Sequence, residues 1–139
     1  LFQKLGGDTT NALIITEGVI GYLTNEQAAQ LSEDLYAIPS FRYWIMDYSQ
    51  GRLRRNRLSR KLKKKLQHAP LQFTDKQPLK FFGRHGWKVN ENIHILDEAD
   101  RIGRKLPMSL SLNVLFTLFP AKIRKLGNET YGYVMFSRS

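Results

Sequence analysis

Cysteine is absent from the 139 residues, which excludes disulfides, thiol catalysis and thiolate metal sites together. No run approaches the roughly 18 uninterrupted apolar residues that a membrane helix requires. The most apolar segment, around Leu110 to Phe119, is broken by Ser111, Asn113 and Thr117. The first dozen residues have neither the basic start nor the apolar middle of a secretory signal, so the sequence fits the cytoplasm. They read as the approach to a strand already inside a fold, and a chain that begins with Leu1 rather than Met is expected to be a piece of something longer. The three histidines are scattered and lack acidic companions at ligand spacing, so no metal site is expected. Acidic residues are also few, 12 against 22 Lys and Arg, and the net charge of +10 favours anionic partners or surfaces.

What is present is a chain of one-domain length, 42% hydrophobic and 12% aromatic, without internal repeat or low-complexity linker. Residues 11–16 form a continuous apolar run centred on Ile14 and Ile15, the pattern of a strand covered on both faces in a parallel sheet. Glu17 stands at its end, and Gly18 and Gly21 bracket the turn that follows. Thr24 with Gln27 has the spacing of a capping box. Ala28, Leu31, Leu35 and Ile38 continue at helical spacing, so a helix is expected over 25–37, ended by Pro39. Residues 41–48 are β-prone and bring Asp47 to the end of a second strand. A strand, a helix of about a dozen residues and a strand make a right-handed parallel crossover. Glu17 and Asp47 are therefore expected on the same edge of one sheet, the edge where open α/β sheets bind ligands.

Nine Lys and Arg fall within residues 52–65, on a segment over 51–67 whose Leu53, Leu58, Leu62 and Leu66 give a narrow apolar stripe to a cationic helix. A loop over 68–77 and a short helix beginning at Pro78 follow, with Gly86 as the stop before Trp87. Residues 87–96 alternate as a strand, 97–106 and 109–119 read as helices, and Gly127-Asn128 reads as a turn before a last strand over 130–138. That last strand is expected to return antiparallel at or near the sheet edge. Trp87 and Phe82 are expected to pack the resulting hairpin against the sheet.

The run Ile15-Thr16-Glu17-Gly18-Val19-Ile20-Gly21-Tyr22-Leu23 before a capped helix, Met46-Asp47-Tyr48 closing the next strand, and Phe82-Gly83-Arg84-His85-Gly86-Trp87 together resemble the leucine carboxyl methyltransferase-like family. These are class I S-adenosylmethionine-dependent methyltransferases. The resemblance spans the whole chain but only the second half of the family's catalytic domain. It implies an α/β fold, the C-terminal half of a Rossmann-like sheet, in which parallel fourth and fifth strands are continued by an antiparallel edge hairpin. It implies S-adenosylmethionine as cofactor, with Glu17 contacting its methionine or ribose part and Tyr22 lining the pocket. The acceptor would be a carboxylate or hydroxyl of a small or acidic molecule. The family's glycine-rich loop and its ribose-binding acid are not among residues 1–139, and Gly6-Gly7-Asp8 lacks the spacing to replace them. The chain alone is therefore expected to bind the cofactor weakly or not at all.

Asp47 can hold a substrate or cap the loop after its strand. A carboxylate nucleophile is already ionised and needs orientation more than a base. A hydroxyl acceptor would make His85 or His94 a candidate base. By position in the family, the basic segment is a lid over the acceptor, with Arg54 and Arg55 on its cationic face. The alternative is a non-catalytic module that contacts nucleic acid or acidic surfaces through residues 52–65, a salt-dependent contact without sequence readout. A sheet edge left open by absent strands would also allow pairing with a second copy.

Overall fold

The structure, a computed structural model, describes residues 1–7, 9–49, 69–104, 114 and 116–138. The basic segment 51–67, with Arg54 and Arg55, and most of the helix expected over 109–119 lie outside the described residues. In chain order the elements are α1 (Phe2–Gly7), β1 (Ala12–Thr16), a 3-10 turn (Ile20–Tyr22), α2 (Asn25–Tyr36), β2 (Phe41–Ser49), α3 (Pro78–Gly83), β3 (Trp87–His94), α4 (Ile95–Arg101), α5 (Pro120–Thr130) and β4 (Tyr131–Arg138). Among the described residues no helix is long and apolar enough to cross a membrane.

The helix after the first strand forms for the reason its sequence suggests. The Gln27 amide donates to Thr24 Oγ1 (3.2 Å) while the Thr24 amide donates to Gln27 Oε1 (2.9 Å), so the first turn closes its own orphan donors. At the other end, Arg138 Nη1 donates to the carbonyls of Tyr36 and Ile38, and its guanidinium lies 4.2 Å from the centre of the Tyr36 ring. The last residue of β4 thus closes α2, placing a cation where the helix leaves carbonyls unpaired.

One mixed sheet carries all four strands in the order β1-β2-β4-β3. β1 and β2 are parallel, whereas β4 runs antiparallel to both β2 and β3. Thr16 lies opposite Met46, so Glu17 follows the end of β1 beside Asp47. Asp47 is not itself at a strand end: β2 runs on to Ser49 because β4 continues to pair with it, Asp47 opposite Tyr133. A parallel pair continued by an antiparallel hairpin is the α/β arrangement expected. The last strand is not itself the edge: it inserts between β2 and β3, and β3 is outermost.

Trp44 occupies the centre of the core with no exposed surface. Phe82 of α3 meets it edge-on at 4.9 Å between ring centres, and Trp87 and Phe136 lie at 5.4 and 5.9 Å. Trp44 Nε1 donates to Thr16 Oγ1 (2.9 Å), and Trp87 Nε1 donates to the Ser32 carbonyl (3.2 Å), so both indoles bury their rings without orphaning a donor. α2 adds Ala28 and Leu35 to this face of the sheet, and α3 adds Phe81 and Phe82. Phe82 and Trp87 thus pack the hairpin against the sheet.

Several boundaries and environments depart from the sequence reading. β1 is not covered on both faces: Leu13 and Ile15 are 51% and 64% exposed, and Tyr43, paired with Leu13, is 45% exposed. Among the described residues, helices pack on the other face of the sheet only. Residues 2–7, on the approach to β1, are helical; Ser40 Oγ donates to the Gly6 carbonyl (2.7 Å), and a Cβ at Gly6 would stand 2.3 Å from Ile38 Cγ2. Gly127-Asn128 is not a turn but the last part of α5. Gly127 is small because Leu96 of α4 sits against it, and Asn128 Nδ2 donates to Asp97 Oδ2 (2.6 Å). Arg124 joins the same two helices, donating to Asp97 at 2.8 Å and to Asp100. The third strand ends at His94 and the helix after it at Arg101, both short of the expected limits.

One comparison separates core from bare face. Phe82→Ala should lower the unfolding free energy by about 3–5 kcal/mol, the usual cost of an aromatic-sized hole. Ile15→Ser on the bare face should change it by less than about 0.5 kcal/mol in urea titrations.

Candidate functional site

The carboxyl ends of β1 and β2 are held together by one glycine and one carboxylate. Gly18 adopts a φ of +65°, a left-handed conformation that L side chains rarely take, and its amide donates to Asp47 Oδ1 (2.8 Å). The chain then turns through Ile20–Tyr22 into α2. A strap from residues 71–75 closes over this turn. Gln72 donates from its amide to the Gly21 carbonyl and from Nε2 to the Tyr22 carbonyl, each at 2.9 Å. Asn25 and Thr74 exchange a reciprocal pair, the Thr74 amide to Asn25 Oδ1 at 2.9 Å and Asn25 Nδ2 to Thr74 Oγ1 at 3.1 Å.

Turn, strap and strand ends enclose a cleft of about 510 Å³, a volume within the range of small-molecule sites. Its walls are Gly18, Ile20 and Tyr22 from the turn, and Met46, Asp47 and Tyr48 from β2. Leu71 and Phe73 from the strap, Pro78 of α3 and Tyr131 of β4 complete it. Asp47 is the charged side chain among the described lining residues. Its Oδ1 is taken by Gly18, while Oδ2 has a long contact of 3.5 Å from the Tyr131 hydroxyl. Tyr131 lies edge-on to Tyr133 at 6.0 Å. Burial, hydrogen bonding with Tyr133 and the Asp47 carboxylate hold the Tyr131 phenol well above the ordinary tyrosine value. Burial also raises Tyr48, partly offset by its hydrogen bond to Asn92 Oδ1 at 2.9 Å. Tyr48 reaches β3 across β4 because Gly132 has no side chain; a Cβ there would stand 2.7 Å from the Ile93 carbonyl and 2.9 Å from the Tyr48 hydroxyl.

The residues singled out from sequence are distributed unevenly around this cleft. Asp47 and Tyr22 line it. Glu17 is exposed on the adjacent strand end, beside the cleft but not in its wall. Arg54 and Arg55 are outside the described residues. Neither described histidine lines the cleft: His85 Nδ1 is 3.0 Å from Glu33 Oε1 on α2, and His94 Nδ1 is buried at the end of β3. Tyr131, Tyr48 and Phe73 were not anticipated. Tyr131 was within reach, since placing the last strand beside β2 sets Ser49 opposite Tyr131 and Asp47 opposite Tyr133. The strap at Phe73 has no periodicity that would have revealed it.

Fold and site together define a mixed α/β domain with a ligand-sized cleft at the carboxyl end of a parallel strand pair. Comparison with known protein families and with characterised proteins gives no match. Among solved structures, the chain is similar to two of Haemonchus contortus phosphoethanolamine N-methyltransferase 2. One is in complex with S-adenosyl-L-methionine, at a TM-score of 0.45 and 12% identity. The other holds phosphomonomethylethanolamine and S-adenosylhomocysteine, at 0.42 and 14%. Each alignment covers 91% of this chain and 32% of the other, so the chain spans about a third of the length of those proteins.

The raised tyrosines give a pH prediction with a definite sign. The fold favours the neutral phenols, so the stability they carry is complete below the ordinary tyrosine value of ~10 and is lost as pH rises from there through the folded value. Ultraviolet titration should show two of the six tyrosines ionising late, with Tyr131→Phe removing one of them. It should also make the alkaline fall in stability shallower.

Proposed function

We propose that the chain forms one side of an S-adenosylmethionine-dependent methyltransferase site, with the donor against the Glu17 strand end and the acceptor in the cleft beside Asp47. The observation that carries this reading is the parallel register of β1 and β2. It sets Glu17 at the end of β1 beside Asp47 of β2 around a left-handed glycine, with a cleft adjoining them. The motif of residues 15–23 and the strand order β1-β2-β4-β3 support it, being the fourth, fifth and hairpin strands of the family the sequence resembles.

The residues present fit part of the cofactor. Gly18 has open space where a Cβ would stand, so backbone is available for close approach, and Glu17 is exposed to accept hydrogen bonds. When bound, S-adenosylmethionine supplies a methyl group on a positively charged sulfur. The chain's own residues orient the acceptor and limit water at it: Ile20, Met46, Phe73 and Pro78 give the cleft apolar walls. A carboxylate acceptor would need no base. A hydroxyl acceptor would, and Asp47 is the carboxylate placed to take its proton, since His85 and His94 are elsewhere.

The glycine-rich loop and ribose-binding acid of the family would join along the outer edge of β1, which pairs with no strand among the described residues. A second copy pairing along that edge would block the same approach, so in this reading self-association and cofactor binding compete. The nine Lys and Arg of residues 52–65 favour a second reading, a module that binds nucleic acid or acidic surfaces.

Calorimetric titration with S-adenosylmethionine decides between the two. The chain alone should bind weakly or not at all, and a version extended at its N-terminus by its natural upstream sequence should bind with one site. In the extended protein Glu17→Ala should weaken binding by about tenfold, the effect of losing roughly 1.4 kcal/mol of contact. No binding by either version would exclude the methyltransferase reading.

A further inference from the structure

α5 has one occupied side and one bare side. Arg124, Gly127 and Asn128 face α4, where Arg124 meets Asp97 and Asp100, Asn128 meets Asp97, and Leu96 sits against Gly127. Phe119, Lys122 and Leu126 recur at the spacing of the opposite side, with Lys125 beside them, and all four are exposed. The Ile123 amide donates to the Phe119 carbonyl (3.0 Å), which ties Phe119 to the start of the helix. Val114 and Leu118, four residues apart just before it, are exposed as well, Leu118 at 63% against 55% for Phe119. Large apolar side chains gathered in this way and rimmed by polar residues mark an interaction surface.

Strands added along the outer edge of β1 would not cover it. α4 packs on β3 and β4, and α5 on α4 and β4, at the other end of the sheet. Charge narrows the partner further. From Arg101 to Asn128 the sequence has six Lys and Arg, namely Arg101, Arg104, Lys105, Lys122, Arg124 and Lys125, and no Asp or Glu. The acids of α4 are occupied, Asp97 and Asp100 by Arg124 and Glu98 by Arg101, and Glu129 is the one acid of α5. Residues 50–68 and 105–113, outside the described residues, contain no Asp or Glu, so they can bring only positive charge to this surface. A second copy would bring two chains of +10 together around these lysines.

We infer that the protein docks on anionic phospholipid bilayers through this side of α5. Leu118, Phe119 and Leu126 enter the boundary between headgroups and acyl chains, while Lys122 and Lys125 extend to the lipid phosphates. The chain lies on the bilayer: among the described residues no helix is long and apolar enough to cross it. The inference goes beyond the methyltransferase reading and does not rest on it.

The test is sedimentation of the chain with vesicles of phosphatidylcholine alone and of phosphatidylcholine with roughly a third phosphatidylserine. The anionic vesicles should carry the chain down and the neutral ones should not. The cations of residues 52–65 attract anionic lipid too, so variants decide which surface is used. Replacing Leu118→Ser and Phe119→Ser together should weaken partitioning by about tenfold or more, and Lys122→Gln and Lys125→Gln by about fivefold each. Ile15→Ser, on the bare face of the sheet, should leave it unchanged. Phe119→Trp should shift its fluorescence to the blue on the anionic vesicles, against a constant signal from the buried Trp44 and Trp87. No shift from Phe119→Trp, a serine pair that binds as well as the parent, or an equal loss in Ile15→Ser would overturn the inference. So would a dimer in analytical ultracentrifugation that the serine pair abolishes, since the surface would then belong to a second copy.

Discussion

The Trp44 indole joins more of this molecule than any other side chain described. It sits on β2, hydrogen-bonds the last residue of β1, and touches Phe136 of β4, Trp87 of β3 and Phe82 of α3. Four strands and a helix therefore share one fully buried ring system. Aromatic pairs in such edge-on arrangements contribute about 0.5–1.5 kcal/mol each beyond the area they bury, but position matters more here than sum. The bond from Trp44 Nε1 to Thr16 Oγ1 fixes β1 one residue before Glu17, so the core determines where the strand end can present its carboxylate.

From that fixed point the site follows by short steps. Thr16 opposite Met46 sets Glu17 beside Asp47, and Asp47 takes the Gly18 amide. The left-handed Gly18 sends the chain into the turn that begins α2, and the strap from Gln72 to Thr74 closes over it. Asp47 is thus a structural residue through Oδ1 and also part of the cleft wall, with Oδ2 in long contact with Tyr131. A carboxylate can do both because its two oxygens offer about four acceptor sites. The same division makes Asn a clean replacement, since it alters charge while leaving an acceptor for the turn.

Local signals were legible where one physical cause dominates. The capping box at Thr24, Pro39 after the first crossover helix and the left-handed Gly86 before β3 follow from side-chain chemistry within a few residues, although the helix before Gly86 already ends at Gly83. Long-range packing overrode the rest. Gly127-Asn128 looks like a turn and is helix, because that glycine answers to Leu96 across a helix pair rather than to its own backbone. Gly6, similarly, answers to Ile38. The run from Ala12 to Thr16 has the composition of a doubly covered strand, but composition does not state which neighbours are present. Of the cleft wall, Tyr22 and Asp47 could be named from the motif, whereas Glu17, named in the same way, stands beside the cleft and not in its wall. Tyr131 depends on β4 entering the sheet between β2 and β3, and Phe73 depends on a strap without periodicity.

The proposed methyltransferase site puts the cofactor at the Glu17 end of β1, beside Asp47 of β2, and not on the basic segment. The most direct measurement is ultraviolet cross-linking of radiolabelled S-adenosylmethionine to the N-terminally extended protein, followed by peptide mapping. Label is expected in the peptides that carry Glu17 to Tyr22 or Met46 to Ser49, displaced by excess S-adenosylhomocysteine. Label confined to residues 52–65, or label that the competitor does not displace, would contradict it.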